Sequence, residues 1–175
     1  MKNIAVIYKS YYGTTKRYAE WIAAELNASL FEASDIKPAQ LLDYDVVIYG
    51  GGLYAGGIIG SKLVEKNQCK SLVLFTVGLA TPETTDYTGI MAKSFSVEQL
   101  SMIKVFHLHG GIDYKKLGIV HRIMMAVVKR KAERTPTAER TSDDNLLLQT
   151  YGGRIDFTDR ETIKPIVDYI NTLQG

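Results

Sequence analysis

Five short apolar runs, each bounded by polar or turn-forming residues, recur along the chain. Residues 3–8 (NIAVIY) are continuously apolar after Asn3, which predicts a strand buried on both faces, the parallel-sheet kind. Residues 14–28 then place Thr15, Ala19, Ile22 and Leu26 at helical spacing, so one helix face is buried. Residues 29–34 predict a short second strand, 45–50 a third, 71–78 a fourth and 102–110 a fifth. Helices are expected at 58–68 and near 87–101. Toward the end, Thr158 with Glu161 three residues on forms a capping-box pattern, followed by a stripe of Ile163, Ile166, Val167 and Ile170. Pro165 falls inside that stripe and should kink the helix or remove a hydrogen bond. Residues 132–150 are polar without periodicity until Leu146 and predict an exposed loop.

Alternating strands and helices of these lengths imply an α/β fold: an open, mostly parallel sheet with helices on both faces. No internal repeat or linker breaks the pattern, so residues 1–175 are expected to form one domain. Ligands in such sheets bind at the carboxyl ends of strands, where strand order reverses. Chemistry is therefore expected after residues 8, 50, 77 and 109.

Composition narrows the picture a little. The chain has 175 residues, 46% hydrophobic and 23% charged, with a net charge of +2, so it is not built to coat nucleic acid. Its one cysteine, Cys69, excludes an intramolecular disulfide and an all-cysteine metal site. Strand-like residues begin at Asn3 with no charged-then-apolar leader, and no run approaches the roughly 18 apolar residues of a membrane span. A cytoplasmic location is the expectation.

Ser10, Tyr11, Tyr12, Gly13, Thr14 and Thr15 crowd between the first strand and the first helix. Such a loop presents unpaired N–H groups and the positive end of the helix dipole, which together form an anion site. Ser10, Thr14 and Thr15 can donate hydroxyl hydrogen bonds to phosphate oxygens, and Gly13 permits close backbone approach. A plain helix cap in a tight turn is the alternative, but it needs only one of these hydroxyls. A P-loop is excluded because Thr14 and Thr15, not Lys and Ser/Thr, follow Gly13. Residues 50–55 (GGGLYA) fit a dinucleotide glycine pattern, yet the next strand ends in Thr76, Val77 and Gly78 and lacks the acidic residue that would bind ribose.

The run Val6-Ile7-Tyr8-x-Ser10-x-x-Gly13-x-Thr15-x-x-x-Ala19-x-x-Ile22 resembles the FMN-binding signature of flavodoxins at every defined position. The resemblance extends over the chain in the order of strands and ligand loops. It implies a doubly wound, five-stranded parallel sheet of order 2-1-3-4-5 and FMN as cofactor. It also implies that residues 10–15 hold the phosphate through neutral amides and hydroxyls, without lysine or metal. The isoalloxazine ring would lie between Gly52, Leu53, Tyr54, Ala55 and Gly56 on one side and Thr76, Val77, Gly78 and Leu79 on the other, with Tyr54 as a stacking face. Tyr87 and His109 are further candidates at the edge, His109 more readily as a structural hydrogen-bonder than as a catalyst. No side chain is singled out as catalytic, since the cofactor supplies the hard chemistry.

Residues 113–134 are unusual: an apolar centre at 117–128, interrupted by Gly118, His121 and Arg122, is flanked by Lys115, Lys116, Lys129, Arg130 and Lys131. Seven basic residues against two acidic ones give this segment +5, while the remainder carries −3. Such a helix can lie in an anionic membrane interface, dock a protein partner, or pack on its own core with a solvated basic end. An inserted basic and apolar helix after the last long strand is similar to that of the menaquinone-dependent protoporphyrinogen oxidase group of flavodoxin-like enzymes, and residues 152–170 also resemble that group's final strand and helix. The likeness implies an FMN-dependent oxidoreductase with a quinone or other small-molecule partner, peripheral to a membrane through 113–134. The alternative is an FMN electron carrier that docks on redox partner proteins. A receiver-type module is disfavoured, because the ends of the first and third strands carry Lys9-Ser10 and Gly50-Gly51 rather than aspartates.

Overall fold

The computed structural model describes residues 2–54 and 56–174. Five parallel strands form the main sheet: β1 (Ile4–Lys9), β2 (Ser29–Glu32), β3 (Val46–Tyr54), β5 (Leu72–Gly78) and β6 (Lys104–His109), in the order β2-β1-β3-β5-β6. Counting these strands alone, that is the expected 2-1-3-4-5 order. A two-residue strand, β4 (Gly57–Ile58), folds back antiparallel on β3. The register sets Tyr8 beside Gly50 and Gly50 beside Phe75.

The central strands are buried on both faces, which is why their sequences read as unbroken apolar runs. On one face Val6, Ile48 and Phe75 pack under Tyr18, Ala19 and Ile22 of α1 (Thr14–Leu26) and Ile166 and Ile170 of α7 (Lys164–Gln174). On the other, Ile7, Val47, Tyr49 and Leu74 meet Leu41, Val64, Met91 and Phe95.

Several expectations need correction. The helix expected over 58–68 shrinks to α2 (Lys62–Glu65), because Ile58 is taken by the β3–β4 hairpin and Ser61 turns back to hydrogen-bond the Ile58 carbonyl. The helix near 87–101 is two pieces, α3 (Thr88–Ser94) and α4 (Val97–Met102), broken where Ser96 starts a new capping box with Gln99. The third strand, expected to end at residue 50, continues as β3 through Tyr54. Residues 132–150 are not a loop either: α5 (Ile119–Arg134) extends into them and α6 (Ser142–Thr150) follows. The signal for α6 was Thr141 with Asp144 three residues on, a capping box that the structure forms. Asp159, not Thr158, caps the final helical segment, and Pro165 sits in the first turn of α7, where the N–H it lacks is one that a helix start leaves without an intrahelical partner.

A second, two-stranded sheet pairs β7 (Gly111–Asp113) antiparallel with β8 (Arg154–Asp156). With α5 and α6 it closes a third apolar cluster of Ile112, Tyr114, Leu117 and Met125, onto which Tyr12, Leu79, Leu147 and Ile155 pack. The inserted segment is thus attached to the body beside the carboxyl end of the main sheet.

Candidate functional site

The sheet order reverses between β1 and β3, and the loop after β1 runs straight into α1. Gly13 is the N-cap of α1 at φ +95°, a conformation that L side chains rarely adopt. Its amide donates to Ser10 Oγ at 3.0 Å, which folds the loop over the helix start. No side chain caps α1 and no acidic residue lies in its first turn, so its leading amides and the dipole face the loop unopposed. Thr15 is buried, and a Cβ on Gly52 would come within 3.4 Å of its Oγ1. The hydroxyl and the glycine of β3 therefore share one corner.

A cavity of about 110 Å³ opens at this corner. The phosphate-type loop contributes Ser10, Tyr11, Tyr12, Thr14 and Thr15; β3 contributes Gly52, Leu53 and Tyr54; the end of β5 contributes Val77, Gly78 and Leu79. Three segments chosen from the sequence thus converge on one space. The remaining expected positions lie differently. Gly13 shapes the loop without lining the cavity, and Gly56 occupies a turn at φ +72°. Thr76 is buried, and its hydroxyl pairs with His107 Nδ1 at 2.6 Å instead of facing the cavity. Ala55 lies outside the described residues. Tyr87 stacks on His107 at 3.5 Å between ring centres, and burial holds the His107 imidazolium pKa below its usual value. His109 accepts the structural role: its Nε2 pairs with the Leu79 carbonyl at 2.9 Å and its ring stacks on Phe157 at 4.2 Å. Cys69 is half-buried, with its thiol pushed by burial up to about 11.

The sequence reading missed the wall supplied from the insertion. Gly110, Gly111 and Ile112 from the β6–β7 connection, and Leu117, His121, Met124 and Met125 from the start of α5, also line the cavity. His121 sits tilted over Tyr54 with ring centres 4.2 Å apart and over Tyr11 at 5.4 Å, and its Nδ1 hydrogen-bonds the Tyr12 hydroxyl. That hydroxyl also accepts from the Gly118 amide at 3.4 Å. One signal was available: His121 interrupts an otherwise apolar stretch.

The donor set suits a flavin mononucleotide. Neutral hydroxyls and helix-start amides are the kind of donors a phosphate accepts from, while Leu53, Val77, Leu79 and Ile112 offer apolar faces beside Tyr54 for a flat ring. The enclosed space is below the roughly 300 Å³ usual for ligand pockets.

In structure, the chain is similar to a flavodoxin from the domain Archaea, at 15% identity over 61% of this chain and 82% of that one, TM-score 0.45. It is also similar to a flavoprotein in complex with FMN from Lactobacillus acidophilus, at 17% identity over 62% and 93%, TM-score 0.42. A third likeness is to oxidised flavodoxin 2 from Bacillus cereus, at 18% identity over 61% and 85%, TM-score 0.43. No curated protein matches the chain significantly. The family described as flavodoxin domain matches residues 5–139, and the chain belongs to that family, with its FMN-binding fold.

Proposed function

We propose that this protein is an FMN-dependent oxidoreductase of the protoporphyrinogen oxidase-like group, working as one flavodoxin-like unit at a membrane surface and passing electrons to a quinone. The observation that carries the reading is the double role of α5. Its inner face supplies His121, Met124 and Met125 to the cofactor cavity. Its outer face leaves Ile119, Val120, Ile123 and Val127 exposed by 78%, 68%, 62% and 64%. Lys115, Lys116, Arg130, Lys131 and Arg134 surround that apolar stripe and are exposed. No helix among the described residues is long and apolar enough to cross a membrane. An apolar stripe bordered by cations fits the boundary of an anionic bilayer, with the stripe buried among acyl chains and the cations among headgroups.

Ser10, Thr14, Thr15 and the first amides of α1 would hold the FMN phosphate. Leu53 and Tyr54 would border the ring on one side, and Val77 to Leu79 on the other. The bound cofactor supplies the one- and two-electron chemistry. The chain's part is to keep water from the ring, through Leu117, Met124 and Met125, and to present a route from the apolar surface.

The deciding experiment has two stages. Purified protein should show flavin absorption and release FMN on denaturation. Reduced protein, mixed with anionic vesicles containing a quinone, should be reoxidised faster than with the same quinone in neutral vesicles. A colourless protein that also fails to take up added FMN defeats the reading. Reoxidation indifferent to vesicles but fast with redox proteins would identify a carrier instead.

A further inference from the structure

An open groove of about 640 Å³ lies at the carboxyl end of α5 and shares no residue with the cofactor cavity. Val127, Arg130, Lys131 and Arg134 line it, with Thr135 and Glu139 from the chain beyond the helix. The four helix positions are spaced i, i+3, i+4 and i+7, so they form one face. That face continues the apolar stripe of α5: Val127, 64% exposed, belongs to both. The groove has the size of a small-molecule site.

Arg130, Lys131 and Arg134 form no ion pair among the described residues. The neighbouring carboxylates are engaged elsewhere. Glu133 pairs with Lys129 at 3.2 Å, and Asp144 accepts from the Thr141 amide and hydroxyl in the cap of α6. The carboxyl end of a helix ordinarily repels an anion. Here Arg140 covers it: Nε donates to the Ala132 and Thr135 carbonyls at 3.1 and 2.9 Å, and Nη2 to the Glu133 carbonyl at 3.1 Å. The groove also holds two acceptors. Thr135 Oγ1 donates its hydrogen to the Lys131 carbonyl at 3.1 Å, which leaves its lone pairs open, and Glu139 has no ion-pair partner among the described residues.

We propose that this groove binds the headgroup of an anionic phospholipid whose phosphodiester carries free hydroxyls, the chemistry of phosphatidylglycerol. The proposal deepens the membrane-surface reading, on which it rests for its setting. Arg130 and Arg134 offer planar forks to the phosphate oxygens, and Lys131 adds a third positive charge. Glu139 and Thr135 accept from the hydroxyls. A headgroup that carries a carboxylate, as phosphatidylserine does, sets a second anion against Glu139 and is disfavoured. A free phosphate ester satisfies the cations but leaves Val127 bare, whereas a lipid covers it and the stripe it continues.

The test titrates the full-length protein with monomeric dihexanoyl phosphatidylglycerol and dihexanoyl phosphatidylserine, below their micelle concentrations, and follows backbone amide shifts. Phosphatidylglycerol should bind severalfold tighter, with shifts centred on residues 127–139. Arg130→Gln with Arg134→Gln should weaken it about tenfold or more, the size of a lost charge-assisted hydrogen bond. Lys115→Gln with Lys116→Gln removes the same charge ahead of α5 and should leave the affinity within about twofold. All four cations are exposed, so the melting temperature should hold in both variants. Glu139→Gln should raise phosphatidylserine toward phosphatidylglycerol. Equal losses in the two double variants, or no preference between the headgroups, overturn the proposal. Glycerol phosphate that binds as tightly as the short-chain lipid assigns the groove to a soluble phosphate ester and overturns it too. Vesicles test the underlying reading separately. Protein that takes the short-chain lipid but stays off phosphatidylglycerol vesicles upholds the groove and defeats the membrane setting; vesicle binding without headgroup preference does the reverse.

Discussion

The Tyr12 hydroxyl hydrogen-bonds Nδ1 of His121, joining the β1–α1 loop to a helix 109 residues further along the chain. With the Tyr54–His121 and Tyr11–His121 contacts it makes a latch between α5 and the cofactor loops. A single neutral hydrogen bond contributes about 1 kcal/mol, and an aromatic pair about 0.5–1.5 kcal/mol. His121→Ala should therefore loosen α5 selectively. Its amides should exchange hydrogen roughly ten times faster or more, while those of β1, β3 and β5 keep their protection. A Tyr12→Phe/His121→Ala cycle should return a coupling of about 1 kcal/mol. Additive effects would show that the two side chains are neighbours without being partners.

Thr15 tests the phosphate site. Its side chain is buried at the start of α1, beside Gly52 and lining the cavity. Thr15→Val keeps the shape and removes the donor. Hydrogen bonds to charged groups contribute roughly 1.5–3 kcal/mol, so FMN should bind tenfold or more weakly, with little change in the melting temperature of the FMN-free protein. Equal FMN affinity in calorimetric titration would place the phosphate elsewhere.

The sequence carried the parallel sheet well, because strands buried on both faces leave unbroken apolar runs such as Ile4 to Tyr8. It marked the β1–α1 loop for a different reason: hydroxyls and a glycine crowd one strand–helix junction, and the structure brings Ser10, Thr14 and Thr15 to the cavity. What stayed hidden was long-range. Leu117, His121 and Met125 enter the cavity only because the β7–β8 ribbon, a three-residue pairing with no periodic signal, swings the insertion back over the site. Thr76 misled because a strand alternates faces: Val77 points to the cavity, and its neighbour turns to His107. The short α6 was overlooked because only its cap, not its apolar spacing, marks it.

Asp156 links the ribbon to α1 and sets a pH dependence. Burial alone would raise its pKa, but hydrogen bonds from Arg17 and Thr158, with the Arg17 charge, hold it down at about 2 against an ordinary 3.8. A carboxylate lowered by folding stabilises the fold above its unfolded pKa and loses that contribution as pH falls through the folded one. The window is thus between about pH 4 and 2. Arg17 is 39% exposed, so solvent screening reduces the contribution to about 1 kcal/mol. Asp156→Asn should flatten the stability profile in that window and lower stability by that amount at neutral pH, as urea unfolding at several pH values would show.

The outer face of α5 predicts binding to anionic lipid. Each cation near such a surface contributes about 1 kcal/mol, and the exposed valines and isoleucines add burial in the interface. Ile123→Asp with Val127→Asp should abolish co-sedimentation with phosphatidylglycerol vesicles and leave the flavin spectrum intact. Binding of the unaltered protein should fall steeply toward ~1 M salt, where the screening length is about 3 Å. Retention of the double variant on vesicles would assign this face to something other than lipid.

Gly50 opens the run of three glycines inside β3 for a packing reason. A Cβ there would meet Phe75 Cζ at 2.0 Å, inside the ring that fills the sheet's α1 face. Phe75 is fully buried and cannot swing aside. Gly50→Ala should therefore cost about 1–3 kcal/mol through overpacking, and lower the melting temperature by roughly 3–10 °C. Gly57→Ala is the matched control: among the described residues its added Cβ would meet nothing nearer than the Tyr54 carbonyl at 3.8 Å, so stability should hold within about 0.5 kcal/mol. Adding Phe75→Leu to Gly50→Ala makes room for the new methyl, and the double variant should be more stable than the sum of the two single losses. Strict additivity would mean that the glycine serves the backbone at this position and not the ring beside it.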